Sequence, residues 1–216
     1  GVPTLDAFLD SKLVKGDKLG FDGRVVSMDE GSLYEGIALK HGGCIEYSLD
    51  LIDEIWTDRP PLSEKPAFEL DVKYAGKTVA DKLSDIREKM AAAEADMHVV
   101  TTIDDICWTL NIRGDDIDFF PLILSYALMD DKAYHLYIDE RKLSDEIKAH
   151  LTADGVVLHP YNDIYEDIKH IPADAKLMLD ASKVNYAMFC KIPDSVKKID
   201  VMNPEMIFKN VKNPVE

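Results

Sequence analysis

The stretch LILSYALMDDKAYHLYI, residues 122–138, decides the fold. Two apolar runs rich in strand-forming residues, 122–129 and 132–138, meet at Asp130-Asp131, which predicts an antiparallel hairpin with a two-residue turn. Downstream the pattern alternates: helix 144–151, strand 156–159, helix 162–170, strand 176–179, helix 183–190, strand 198–201, then a short helix from Asn203-Pro204. Upstream, Thr78 caps a helix reaching Glu94 with Val79, Leu83, Ile86 and Met90 on its inner stripe. A strand at 96–101 and a short helix at 104–110, which turns Ile106 and Trp108 inward, complete the set. A hairpin followed by β-α-β-α-β implies an α/β fold whose mixed sheet carries helices on both faces.

The first fifty residues read helix, strand, helix, strand. Thr4 caps a helix with Leu5, Phe8, Leu9 and Leu13 on one face, ending by Gly16, and residues 18–21 form a strand running into Asp22-Gly23. Ser27 and Glu30 have the spacing of a capping box, so a second helix runs from Met28 to Lys40, and His41-Gly42-Gly43 leads into a strand at 44–48. Two strands are too little sheet to close a core, so this region is expected to be part of a domain. Pro60, Pro61 and Pro66 lack amide donors and disfavour helix before them, which marks a linker. The expected division is 1–56, a partial domain; 57–67, the linker; and 68–216, a complete domain. Asn213-Pro214-Val215-Glu216 reads as an interdomain cut.

Composition narrows the function classes. The chain has 216 residues, 46% hydrophobic and 31% charged, enough for a packed core. A net charge of −16 and a pI near 4.7 argue against nucleic acid or anionic membrane surfaces as partners. Neither a membrane-length apolar run nor a signal-peptide plan is found, which points to a cytoplasmic setting. Cys44, Cys107 and Cys190 fit no disulfide or metal-knuckle spacing and, with apolar neighbours, are expected to be buried small hydrophobes.

No catalytic constellation is legible. His41, His98, His135, His150, His159 and His170 show neither H-x-x-x-H nor H-E-x-x-H spacing, although folding could bring two together. The carboxylates of 163–167 read as the wet face of a helix. Nucleophile-elbow, P-loop and dinucleotide glycine patterns are missing. One segment looks functional: Trp108-Thr109-Leu110-Asn111-Ile112-Arg113-Gly114-Asp115-Asp116-Ile117. An arginine before a glycine at a helix end can clamp a carboxylate in two parallel bonds, or it can close the turn on Asp115 or Asp116.

The same residues carry a resemblance. Gly20-Phe21-Asp22-Gly23-Arg24, Ile55-Trp56-Thr57-Asp58-Arg59-Pro60-Pro61, Tyr74-Ala75-Gly76-Lys77, Lys82-Leu83, Ile86-Arg87, Asn111-Ile112-Arg113-Gly114 with Asp116-Ile117, and Ser125-Tyr126-Ala127 run in one order. Together they resemble the N-terminal creatinase-like domains of aminopeptidase P, the three-domain Xaa-Pro aminopeptidase of the pita-bread metallopeptidases. The sequence departs from that family at Asp118-Phe119-Phe120, where a proline and a Tyr-Asn or His-Asn pair are common.

The resemblance implies a ribonuclease H-like creatinase N-terminal domain preceded by part of a similar one. It places catalysis elsewhere: two divalent ions, usually manganese, would sit in a pita-bread domain joined to this chain, releasing an N-terminal residue from a peptide with proline second. This chain would be non-catalytic, shaping the substrate cleft and a possible homodimer contact, with Asn111, Arg113 and Asp116 as cleft candidates. The competing readings are an interaction module of an inactive creatinase-like protein and part of a prolidase.

Overall fold

A computed structural model describes residues 1–215, and the chain divides into two compact units. The first comprises Gly1–Pro60 and Ala181–Lys191, and the second Pro61–Asp180 and Ile192–Glu216. Residues 181–191 therefore group with the N-terminal region, whereas the sequence pattern joins them to the segment that follows the linker.

The first unit holds α1 (Leu5–Lys12), β1 (Lys18–Gly20), α2 (Met28–Lys40), β2 (Cys44–Glu46) and α3 (Leu51–Ile55). Strands β1 and β2 pair in parallel. The capping box on α2 is present, with Ser27 Oγ accepting from Glu30 N–H and the Glu30 carboxylate accepting from Ser27 N–H. Residues 181–191 are stitched in by the main chain: Met28 N–H donates to Val184 O, and Tyr186 N–H to Val26 O. The short helix Tyr186–Phe189 then lays the Tyr186 ring over Gly31. No residue of α1 is fully buried: of its expected inner face, Leu5 and Phe8 are exposed and Leu9 and Leu13 are half-buried.

Two of the three cysteines also depart from expectation. Cys107 is buried, but Cys44 and Cys190 are exposed. Cys44 starts a strand that among the described residues pairs with β1 alone, and Cys190 lies past the end of its helix, so apolar sequence neighbours did not bring either thiol under cover.

The second unit contains β3 (Phe68–Glu69), α4 (Val72–Ala75), α5 (Val79–Ala92), β4 (Met97–Val100), α6 (Ile103–Thr109), β5 (Ile112–Arg113), β6 (Ser125–Met129), β7 (Tyr134–Ile138), α7 (Asp145–Ala153), β8 (Val156–His159), α8 (Ile164–Asp167), β9 (Lys176–Leu179), then, beyond α9 (Tyr186–Phe189) of the first unit, β10 (Lys197–Asp200) and α10 (Pro204–Phe208). Its six-stranded sheet runs β10-β9-β4-β6-β7-β8. β6 is antiparallel to both β4 and β7, and the remaining pairs are parallel, so the sheet is mixed, as the order of elements implied.

The hairpin loop is wider than two residues. Asp130 Oδ1 accepts from the N–H groups of Lys132 and Ala133, both at 2.8 Å, and Asp130 N–H donates to Ala133 O. Without glycine, the tight primed turn is costly, and an Asx-type turn replaces it.

Alternation across the sheet sorts the core. Tyr134, Leu136 and Ile138 of β7 face Leu83, Ile86 and Met90 of α5 and Ile106 of α6 in one apolar cluster. Each such fully buried aliphatic side chain stabilises the fold by about 1.5–3 kcal/mol. The opposite face carries Tyr126, His135, Tyr137 and His159 and is covered by the 161–170 helical turns, where Ile164 and Ile168 are buried. Trp108, expected to point inward, is only half-buried and stacks on Phe208 at 6.4 Å.

The close approach at Gly31 is testable. A Cβ there would lie 2.1 Å from Tyr186 Cδ2, in a ring that is 2% exposed. Gly31→Ala is expected to destabilise the first unit by about 1–3 kcal/mol, the usual cost of overpacking. Denaturant unfolding followed through Tyr186 fluorescence or backbone signals checks this, and unchanged stability would contradict the ring's placement.

Candidate functional site

The segment 108–124 starts where α6 ends. Asn111 adopts a left-handed conformation (φ 53°) just beyond Leu110, a position where asparagine is tolerated better than other non-glycine residues. Its carbonyl accepts from Leu70 N–H at 2.7 Å, and β5 then pairs antiparallel with β3, Phe68 opposite Arg113. The Asn111 amide is buried and engaged at both ends: Oδ1 accepts from Lys82 Nζ at 2.6 Å, and Nδ2 donates to Lys77 O at 2.9 Å. Lys82, 1% exposed, also donates to Trp108 O and lies 4.2 Å from the Trp108 ring centroid.

Arg113 is half-buried. Its Nη1 donates to Cys107 O at 2.7 Å and Ile112 O at 2.9 Å, tying the guanidinium to the end of α6. Burial pushes the Cys107 thiol up, against the opposing pull of Arg113, so it stays a protonated core group. Gly114 is required by close packing, since a Cβ would meet Ile123 Cγ1 at 2.4 Å.

The acidic residues beyond it turn to lysines. Asp115 pairs with Lys65 on the surface at 2.7 Å. Asp116 pairs with Lys142 at 2.6 Å, their side chains 0% and 2% exposed, and its Oδ2 also accepts from Leu124 N–H. Asp116 Oδ1 is buried without a hydrogen-bond partner. Asn111, Arg113 and Asp116 thus share one segment, but they engage three separate sets of partners. The loop between them and β6 exposes Phe119 fully, at φ 70°.

Beyond the Asp116–Lys142 pair, two more buried polar arrangements, centred on Lys82 and His98, were not anticipated. One is Asn111 with Lys82, for which the only sequence signal was a lysine three residues after Val79 and four before Ile86, inside the apolar stripe of α5. The other joins His98 of β4 to Glu205 of α10 at 3.3 Å, both 0% exposed, with His98 Nδ1 3.1 Å from Met178 O. Burial opposes a charge on His98, but Glu205, Met178 O and Asp105 together outweigh it and hold the imidazole pKa above its ordinary value.

In the first unit the motif residues form an ionic knot. Arg24 donates to both Asp22 and Asp50, Arg59 donates to Asp50 at 2.7 Å and Asp53 at 2.9 Å, and Asp50 caps α3. The Arg59 guanidinium holds the Asp50 carboxyl below its ordinary value. Gly23 has no room for a side chain, with Tyr47 O 3.0 Å from a Cβ position. Among the described residues no group of three or more His, Cys, Asp and Glu could hold a metal ion.

The buried ion pair can be tested directly. Asp116→Ala leaves the Lys142 ammonium buried and is expected to cost about 3–5 kcal/mol of stability, whereas Asp116→Leu combined with Lys142→Met recovers most of that loss. Melting curves of both variants check this, and a single variant as stable as the parent would contradict the buried pair.

Comparison with known proteins agrees with this architecture. The family model described as Creatinase/Prolidase N-terminal domain matches residues 58–216. The Caenorhabditis elegans protein named Xaa-Pro aminopeptidase app-1 is 34% identical over 205 residues, 91% of this chain and 33% of the relative. Xaa-Pro aminopeptidase 1 of Dictyostelium discoideum is 32% identical over 225 residues, covering 100% of this chain and 36% of its own length. A crystal structure of X-prolyl aminopeptidase from Caenorhabditis elegans, described as a cytosolic enzyme with a di-nuclear active site, superposes with a TM-score of 0.89 at 31% identity. The match covers 100% of this chain and 36% of that one. The chain spans about a third of the length of these relatives and belongs to the Creatinase/Prolidase N-terminal domain family.

Proposed function

We propose that this chain is the non-catalytic N-terminal part of a cytosolic Xaa-Pro aminopeptidase. The observation that carries the reading is the match to X-prolyl aminopeptidase over the whole chain but only 36% of that enzyme. In this reading the chemistry lies in a following pita-bread domain with two divalent ions, manganese being the metal expected, which releases an N-terminal residue from a peptide with proline second. The division into 1–56, 57–67 and 68–216 then corresponds to the end of one creatinase-like domain, a linker and a second such domain.

The contribution of this chain is positional. Its rigid α/β sheet walls one side of a cleft that admits a peptide end, and it takes part in contacts between subunits. Asn111 and Asp116 serve as internal supports, since the Asn111 amide is engaged by Lys82 and Lys77 and Asp116 Oδ2 by Lys142 and Leu124. Arg113 is the cleft residue, held by Cys107 O and Ile112 O through one of its terminal nitrogens.

In the full-length enzyme, Arg113→Ala is expected to lower kcat/KM by about tenfold or more, equivalent to at least about 1.4 kcal/mol of transition-state stabilisation. The assay is run well below both melting transitions, with melting temperature measured on the same preparation. A kcat/KM that is unchanged while the melting temperature falls would leave Arg113 a purely structural residue and contradict the cleft assignment.

A further inference from the structure

Two of the scattered histidines meet in the fold. His135 on β7 and His159 on β8 are diagonal neighbours on one sheet face, because β7 and β8 pair in parallel with Tyr137 opposite His159 and His135 opposite Val157. His135 Nδ1 and His159 Nε2 point at one another across 3.0 Å. The outer nitrogen of each ring faces a carboxylate: His135 Nε2 lies 4.0 Å from Asp130 Oδ2, and His159 Nδ1 lies 3.8 Å from Asp167 Oδ2. Tyr137 fixes the second half of this row. Its hydroxyl donates to Asp167 at 2.9 Å, and its ring stacks on His159 with centroids 4.8 Å apart.

We propose that His135 and His159 form a binding site for a late first-row divalent metal ion such as Zn²⁺, with His135 Nδ1 and His159 Nε2 as ligands and water in the remaining positions. Imidazole pairs suit zinc, nickel and copper, whereas magnesium and calcium take oxygen ligands. Two nitrogens bound tetrahedrally to one zinc are about 3.3 Å apart, so a few tenths of an ångström of opening admits the ion. Asp130 and Asp167 occupy the places from which carboxylates orient metal-bound imidazoles and raise their basicity. The two side chains are 27% and 26% exposed, so an ion reaches them from solvent. Two protein ligands make this an exchangeable site, in keeping with the lack of any group of three or more candidate ligands among the described residues.

The test is a titration of the ¹⁵N-labelled chain with ZnCl₂, read through long-range ¹H–¹⁵N correlations of the imidazole rings. His135 Nδ1 and His159 Nε2 are expected to shift together, before the rings of His41, His150 and His170, and to saturate at a single equivalent. Asp167→Asn, which keeps both ligands, is expected to weaken zinc binding by about 10–100-fold. His159→Gln should abolish the zinc-dependent shift of His135, and if that variant fails to fold, the ring-nitrogen shifts of the unaltered chain decide alone. Zinc occupying other histidines or the exposed Cys44 and Cys190 first, or unchanged affinity in Asp167→Asn, would overturn the proposal.

Discussion

The β6–β7 hairpin lies in the sheet with both faces covered, and that constraint governs the second unit. Its residues pair from Ser125 with Ile138 to Met129 with Tyr134, while β4 and β8 occupy its outer edges. A strand pair with one face in the core and the other largely covered tolerates a register slip or an unpaired buried charge poorly. The chain leaving it must therefore neutralise what it buries, which Lys142 does by pairing with Asp116, just upstream of the hairpin. This bond closes a path through β6 and β7 and sets where the 111–124 segment lies.

The same logic places the candidate residues. Asn111 ends α6 in a left-handed conformation and is pinned by Lys82, Arg113 is tied to α6 through main-chain carbonyls, and Gly114 lets Ile123 approach. Much of the segment that looks like a ligand site is thus committed to holding its own turn. A segment built in this way is held in place from several sides, which is compatible with the positional role proposed for it.

Local chemistry made much of the fold legible. Ser27, Thr78 and Ser144 each accept from the backbone N–H three residues on, as their helix-start spacing required. The apolar run at 132–138 marked a strand, observed at Tyr134–Ile138. Contacts distant in sequence were beyond reach: Lys142 with Asp116, Lys82 with Asn111, and His135 with His159 are joined only by topology. Burial of Cys44 and Cys190 failed for a related reason, because apolar neighbours report hydrophobicity along the chain while cover depends on which elements pack above it. The exposed faces of Leu5 and Phe8 show the same limit.

The central claim separates scaffold from chemistry within one enzyme. Its most direct test is a peptide assay with Mn²⁺ and a Xaa-Pro-Xaa substrate, run on this chain alone and on the longer protein that contains it. The account predicts release of the N-terminal residue by the longer protein and none by the chain alone. Turnover that stays with the isolated chain after contaminating peptidases are removed would contradict it.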